Sequence, residues 1–313
     1  MGWSEADIPD ANGQTALVTG ANVGLGLEVS RALAGAGATV LMACRDMEKA
    51  GMAAEGIREE VPGAQVDTEK LDLASLDSIR EFASATAARF PDGIDLLINN
   101  AGVMMPPRRE TEDGFELQFG TNHLGHFALT GLLMPRIKEL PGSRVVTVSS
   151  TMARVGRIDF DDLQGEGSYS RTGAYALSKL ANLSFAIEFQ RRLALAGSPV
   201  ESMAAHPGYS ATNLQKAGPR IGGGIGSALA APFMALGHRL LAQDATAGAS
   251  PILFAATDPG LPGGSYVGPD GPGEMRGSPT IVQPVESATD RTAAERLWAE
   301  SERLTGVSFG LPA

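Results

Sequence analysis

Short apolar runs alternate with longer amphipathic ones along most of this chain. TALVTG (15–20) is rich in β-branched residues and bounded by glycine, the pattern of a strand. LEVSRALAGAG (27–37) has helical apolar spacing and closes on glycines. ATVLMAC (38–44) is a second strand, and RDMEKAGMAAEGIREEV (45–61) a charged amphipathic helix stopped by Pro62-Gly63. AQVDTEKLDL (64–73) reads as the third strand and SLDSIREFASATAARF (75–90) as a helix with Ser75 at its N-cap. IDLLINNAG (94–102) is apolar almost without interruption, as a parallel strand buried on both faces would be. Residues 113–140 predict a long helix kinked at Pro135. A strand at SRVVTVSS (143–150), a helix over 173–196 and a strand and turn at SPVESMAAHPG (198–208) follow. The remainder predicts a helix near 244–257, a short strand at GSYVG, a turn-rich loop at 268–279 and a terminal helix around Ala293–Leu304.

Strand–helix alternation with right-handed crossovers implies an α/β fold, a doubly wound parallel β-sheet of the Rossmann type. No internal repeat or linker divides the chain, so residues 1–313 are expected to form a single domain. Residues 14–208 would make its cofactor-binding and catalytic core, 209–243 a substrate flap, and 244–313 a C-terminal helix, strand and tail.

Composition narrows the function. The 313 residues are 43% hydrophobic and 19% charged, with a net charge of −11 and no basic stripe. That disfavours nucleic acid, whose phosphates need clustered Lys and Arg. The one cysteine, Cys44, forbids an intrachain disulfide and sits in an apolar run as a core residue. The N-terminus MGWSEADIPDANGQ lacks a signal-peptide pattern, and no segment reaches 18 uninterrupted apolar residues. We therefore expect no membrane span and a cytoplasmic location.

Two stretches carry chemistry. TGANVGLG (19–26) follows the first strand and opens the first helix, where glycines let the backbone approach a ligand and the helix N-terminus attracts phosphate. In YALSK, Tyr175 and Lys179 lie four positions apart on one helix face, with Cβ atoms roughly 5–6 Å apart. An ammonium beside a phenol favours the phenolate, which suits a proton donor and acceptor. His123 and His126 are neighbours without a third ligand type at metal spacing, so they are read as satisfied or surface histidines and no metal is expected.

T-G-x-x-x-G-x-G at 19–26, NNAG at 99–102, VSS at 148–150, Y-x-x-x-K at 175–179 and HPG at 206–208 occur in order at successive strand ends. Together they resemble the short-chain dehydrogenase/reductase family over roughly residues 14 to 260. ACRDMEKA, GTNHLGHFALT and YALSKLANLSF resemble its retinol-dehydrogenase and WW-domain-oxidoreductase branch. The resemblance implies that Tyr175 is the general acid/base and that Lys179 lowers its pKa and holds the nicotinamide ribose. It further implies that Ser150 hydrogen-bonds the substrate oxygen, with Ser149 as runner-up, and that Asn122 holds a water linking Lys179 to solvent. Tyr169, in the extra stretch RVGRIDFDDLQGEGSYSR, has no lysine four positions on.

For the cofactor, the resemblance implies Gly20, Asn22, Val23, Gly24, Leu25 and Gly26 at the pyrophosphate. Asp72 and Leu73 would cap the adenine, with Asn99, Ala101 and Gly102 along the adenosine side. Pro207 and Gly208 would lie against the nicotinamide, and Thr212 would reach its carboxamide or the pyrophosphate. At the second strand's end, where NAD-binding chains place an acid, stand Cys44 and Arg45. A guanidinium there suits a 2′-phosphate, giving NADP(H), with NAD(H) as the alternative if Asp46 is the ribose-binding acid. The expected activity is alcohol–carbonyl interconversion by hydride transfer. The apolar flap (Ile221, Ile225, Leu229, Phe233, Met234, Leu236) points to a hydrophobic substrate. The resemblance implies a homodimer or homotetramer formed through the helices at 113–138 and 173–196. A silent NADP(H) sensor and a C=C reductase are the competing readings.

Overall fold

The computed structural model describes residues 2–209 and 245–313. Eight strands form one sheet in the order β3-β2-β1-β4-β5-β6-β7-β8. They are β1 (Thr15–Thr19), β2 (Thr39–Cys44), β3 (Val66–Lys70), β4 (Leu96–Asn99), β5 (Arg144–Val148), β6 (Glu201–Ala205), β7 (Tyr266–Pro269) and β8 (Pro279–Ile281). All neighbours pair in parallel except β7 and β8. The order reverses between β1 and β4, so a crevice opens beyond their C-terminal ends, where such sheets bind ligands.

Helices α1 (Gly24–Gly35), α2 (Met47–Glu60), α3 (Leu76–Arg89), α4 (Leu117–Phe119), α5 (Gly125–Leu133) and α6 (Arg171–Ala196) precede α7 (Ala245–Thr257), α8 (Glu286–Thr289) and α9 (Arg291–Thr305). The apolar runs explain two cores. Ala16 and Val18 of β1 pack in a cluster with Val29 and Leu33 of α1 and with Ile252 of α7. Leu17, between them, joins Ile79, Phe82, Phe127 and Phe185 on the opposite face. Successive strand residues point to opposite faces, so a strand covered on both sides must be apolar throughout.

Two expectations need correction. The helix predicted over 113–140 starts later and is not continuous: α4 runs through a π-helical turn, Gly120–Leu124, into α5, and a 3₁₀ turn, Met134–Arg136, carries Pro135. The π turn passes close beneath the β3–α3 connection, because a Cβ at Gly125 would lie 2.4 Å from the Leu73 carbonyl oxygen. The loop at 268–279 runs into an antiparallel edge strand, β8, that pairs Pro269 with Pro279 and Val267 with Ile281. Proline at its first residue, paired with Pro269 of β7, hides this three-residue strand from a propensity reading. The 209–243 flap lies, but for Tyr209, outside the described residues. Among the described residues, no helix is long and apolar enough to cross a membrane.

The C-terminal tail folds back over α5 and α6. Phe309 packs 4.9 Å from Phe127, 4.6 Å from Trp298 and 5.3 Å from Phe189, centroid to centroid. Gly131 makes room, since a Cβ there would lie 2.8 Å from the Phe309 ring. Phe309→Ala should lower unfolding stability in urea by about 3 kcal/mol, as for other buried Phe truncations. A loss below a few tenths would mean that the tail is not part of the folded unit.

Candidate active site

The crevice between β1 and β4 is built from backbone. Gly20 has φ +64° and Gly24 φ +58°, conformations that side chains resist. A Cβ at Gly26 would come within 2.5 Å of both the Gly20 carbonyl and the Asn100 amide. The glycine loop is thus pressed against the NNAG loop. Thr19 joins the two: its hydroxyl accepts from the N–H groups of Asn100 and Ala101, both at 2.9 Å. At the start of α1, Val23 supplies no side-chain cap, so the first N–H groups keep their capacity for an anion.

The end of β2 holds the residues on which the nucleotide alternatives turn. The Cys44 thiol is buried beneath the loop, receives the Ala21 and Asn22 N–H groups, and is pushed up to about 11 chiefly by burial. Asp46 N-caps α2: it accepts the Lys49 N–H at 3.1 Å and pairs with the Lys49 ammonium. Its carboxylate is thus engaged by its own helix, while Arg45 is exposed and makes no ion pair or hydrogen bond among the described residues.

Tyr175 and Lys179 lie on α6 and are almost fully buried, at 7% and 3% exposure. The ammonium is 5.9 Å from the centroid of the phenol ring and donates to the Val148 carbonyl at 3.0 Å. Burial pushes the phenol up to about 12, opposed by the Ser150 hydroxyl, and pushes Lys179 down to about 8. The lysine on its own therefore does not make the phenol acidic, contrary to the simplest reading of the i, i+4 pair. The two serines of VSS separate by environment. Ser149 is buried and donates to the Lys179 carbonyl at 2.7 Å. Ser150 is half-buried, caps the 3₁₀ turn Thr151–Val155, and faces Tyr175.

Asn122 sits in the π turn, fully buried. Its Oδ1 accepts the Val103 N–H at 2.7 Å, and its Nδ2 donates to the Val103 carbonyl at 3.0 Å and to Ser178 Oγ at 2.9 Å. Ser178 donates onward to the Tyr175 carbonyl at 2.8 Å. Both amide hydrogens are engaged, so a water held by Asn122 would have to donate to Oδ1, which accepts from Val103, or to the backbone carbonyl, which accepts from His126 Nδ1 at 2.9 Å.

The remaining predicted residues divide. Gly102 borders the catalytic group, since a Cβ there would lie 3.1 Å from Asn122 Oδ1 and 3.7 Å from Lys179 Nζ. Ala101 is half-buried against Gly20. Asn99 departs from expectation: its side chain is fully buried and bonds Thr130 at 2.9 Å, so only its backbone could face the crevice. Leu73 likewise turns into the core, while Asp72 is half-buried at the end of β3 and accepts the Ala74 N–H at 3.0 Å. Gly208 has φ +66° and follows Pro207 beyond β6. Asn22 and Leu25 are half-buried on the loop and Val23 is exposed. Thr212 lies outside the described residues. Tyr169 proves structural, bonding Glu116, Gln118 and the Pro106 carbonyl.

Several contacts at the site carry no sequence signal of their own. His206 Nε2 lies 2.9 Å from Glu274, which also pairs with Arg154, and His206 Nδ1 accepts the Gly208 N–H at 3.2 Å. This cluster ties the Pro207–Gly208 turn and the Ser150 turn to the loop before β8. His123 bonds Ser301 of α9 at 2.9 Å. Their partners come from distant parts of the chain, which a linear motif cannot reveal.

Comparison with known proteins agrees with this geometry. The family model described as short chain dehydrogenase matches residues 14–220. The chain is 42% identical over 305 residues to human "Retinol dehydrogenase 13", covering 97% of this chain and 87% of that protein. It is 41% identical to the "Polyprenol dehydrogenase" of Mus musculus, covering 97% and 87%. An uncharacterised protein of Mycobacterium paratuberculosis with a crystal structure is 44% identical, with a TM-score of 0.82 over 99% of this chain and 100% of that one.

Burial gives the site a pH signature. His123 and His126 are pushed down to about 3 and about 4. Between those values and 6.5 the unfolded chain binds protons that the native state refuses, so stability must fall as pH drops through that window. Lys179 acts on the alkaline side, where stability rises from about pH 8; the Cys44 thiol, pushed up to about 11, opposes it from about pH 9, and above pH 10 stability falls as unfolding releases protons from the raised phenols of Tyr175, Tyr169 and Tyr266. Melting temperatures measured from pH 4.5 to 11 should trace this profile, and Lys179→Met should remove the rise between about pH 8 and 9. An unchanged rise in the variant would assign it to another group.

Proposed function

The chain belongs to the short chain dehydrogenase family, and from that premise we propose that it is an NADP(H)-dependent oxidoreductase interconverting an alcohol and a carbonyl on a hydrophobic small molecule. The observation that carries this reading is the meeting of Ser150, Tyr175 and Lys179 at the C-terminal end of β5, beside the glycine loop at the sheet's switch point. The fit of a dinucleotide is supported by the uncapped start of α1, by the glycines pressed against the NNAG loop, and by Arg45, which is exposed and makes no ion pair among the described residues.

Bound nicotinamide dinucleotide supplies the hydride and, in its oxidised form, a positive charge near the phenol. The chain's own groups do the rest. Ser150 donates a hydrogen bond to the substrate oxygen. Tyr175 Oη gives its proton to that oxygen during reduction and removes it during oxidation. Bringing the phenol from about 12 to near neutrality takes roughly 7 kcal/mol of preferential phenolate stabilisation. The Ser150 hydroxyl and the Lys179 ammonium are already in place at that value, so the bound cofactor's charge and the substrate oxygen would supply most of it. Asn122 fixes Gly102-Val103 and, through Ser178, the α6 backbone that carries Tyr175. Arg45 receives the 2′-phosphate of NADP(H) as a charge-assisted fork.

Two relatives are named for hydrophobic alcohols, retinol and polyprenol. With the apolar residues of segment 221–236, this supports a long apolar alcohol or aldehyde as substrate.

A panel of C6–C16 and isoprenoid aldehydes with NADPH tests the reaction. Tyr175→Phe should lower turnover by about 10³-fold while NADPH binding is retained. Turnover within a few-fold of wild type would remove Tyr175 from the mechanism. Arg45→Ala should raise the KM for NADPH by about 10- to 100-fold and leave that for NADH unchanged. Equal use of both nucleotides, unaffected by the substitution, would reject the NADP(H) assignment.

A further inference from the structure

His126 lies one helical turn beyond Asn122, fully enclosed, with a partner at each ring nitrogen. Nδ1 is 2.9 Å from the Asn122 carbonyl oxygen, and Nε2 is 2.9 Å from Thr19 Oγ1. The proton positions follow from what each partner can do. A carbonyl only accepts, so Nδ1 carries the hydrogen. Burial pushes the ring down to about 4, so it is neutral and Nε2 holds a lone pair. The Thr19 hydroxyl then has two acceptors within reach, Nε2 at 2.9 Å and the Ile98 carbonyl oxygen at 3.3 Å, and the shorter contact assigns its proton to Nε2. Its two lone pairs accept the N–H groups of Asn100 and Ala101.

We propose that His126 is a positioning residue with two separable tasks: Nε2, through Thr19, holds the NNAG loop against the glycine loop, and Nδ1 holds the backbone carbonyl of Asn122. The inference rests on the proposed dehydrogenase reading, in which the two loops hold the cofactor and Asn122 serves the catalytic group. The π turn gives the second task its purpose. A helix that widens at Gly120–Leu124 has lost its regular carbonyl alignment there, and a ring fixed from β1 restores one direction for the Asn122 carbonyl. The ring is tied at its far end to the last residue of the first strand, 107 positions away in the chain. It is therefore indexed to the sheet rather than to its own helix.

The two tasks are tested by side chains that each keep one of them. Asparagine places an amide where Nδ1 stands, and glutamine places one where Nε2 stands. His126→Asn should weaken NADPH binding, read by fluorescence titration, by about tenfold while slowing turnover less. His126→Gln should lower kcat with the best aldehyde of the panel by about tenfold while weakening NADPH binding less. His126→Phe should lose both, and melting temperatures establish that each variant is folded. The crossed pattern supports the proposal. Equal losses in both parameters, tracking the fall in melting temperature, overturn it, as does the absence of any change. The NADPH arm needs no substrate, so it decides the Nε2 task even if Tyr175→Phe stays active and the catalytic reading fails.

Discussion

A lysine ammonium held in the interior beside a buried phenol is the arrangement on which the rest of this structure depends. Desolvation opposes the charge on Lys179 and opposes ionisation of Tyr175, and in this structure it outweighs their mutual attraction. Such a pair persists only where the surrounding framework over-determines it. The Val148 carbonyl supplies that framework on one side, accepting from Lys179 at 3.0 Å and from Asn182 at 3.2 Å. Ser149 holds the Lys179 backbone on the other. Under the proposed dehydrogenase reading, groups brought into the crevice would relieve this pair.

The sheet is the rigid reference for this pair. Ser150, Asn99 and Gly20 lie at or just past the C-terminal ends of adjacent parallel strands, so their spacing is set by interstrand pairing. Helix α6 brings Tyr175 and Lys179 to that edge, anchored along its length by Phe185, Phe189 and the C-terminal aromatic residues. The π turn at Gly120–Leu124 supplies the third side. It positions Asn122 to clamp Val103, and the adjoining ring of His126 returns to β1. Three elements remote in the chain thus converge on a few hydrogen bonds with no slack between them.

The electrostatic balance also separates decoys from participants. Tyr169 and Tyr175 are both pushed up to about 12, and so pKa direction alone does not distinguish them. Their neighbours do. Tyr169 sits against Glu116, whose charge disfavours phenolate, and ties down the loop before α4. Tyr175 has an ammonium and a serine hydroxyl instead.

Local pattern was enough to read the parallel sheet, its strand ends, the glycine loop and the Tyr175–Lys179 face. Each of these is a short-range consequence of periodicity: two for strands buried on both sides, 3.6 for helices, and glycine where φ must be positive. The break of the long helix into a π turn, the strand hidden between Pro279 and Ile281, and the inward turn of Asn99 were not legible, because each depends on what packs against it. His206 stands out in the chain as part of HPG, and His123 and His126 read as satisfied or surface histidines, but their partners Glu274, Ser301 and Thr19 are visible only in the fold. Sequence alone determined which residues could do the chemistry and the order in which strands would present them. Tertiary structure decided which serine stays half-exposed and that the phenol stands at high pKa beside its lysine. It also decided that a histidine binds the first strand to the middle helix, since hydrogen-bond partners and desolvation exist only once distant segments meet.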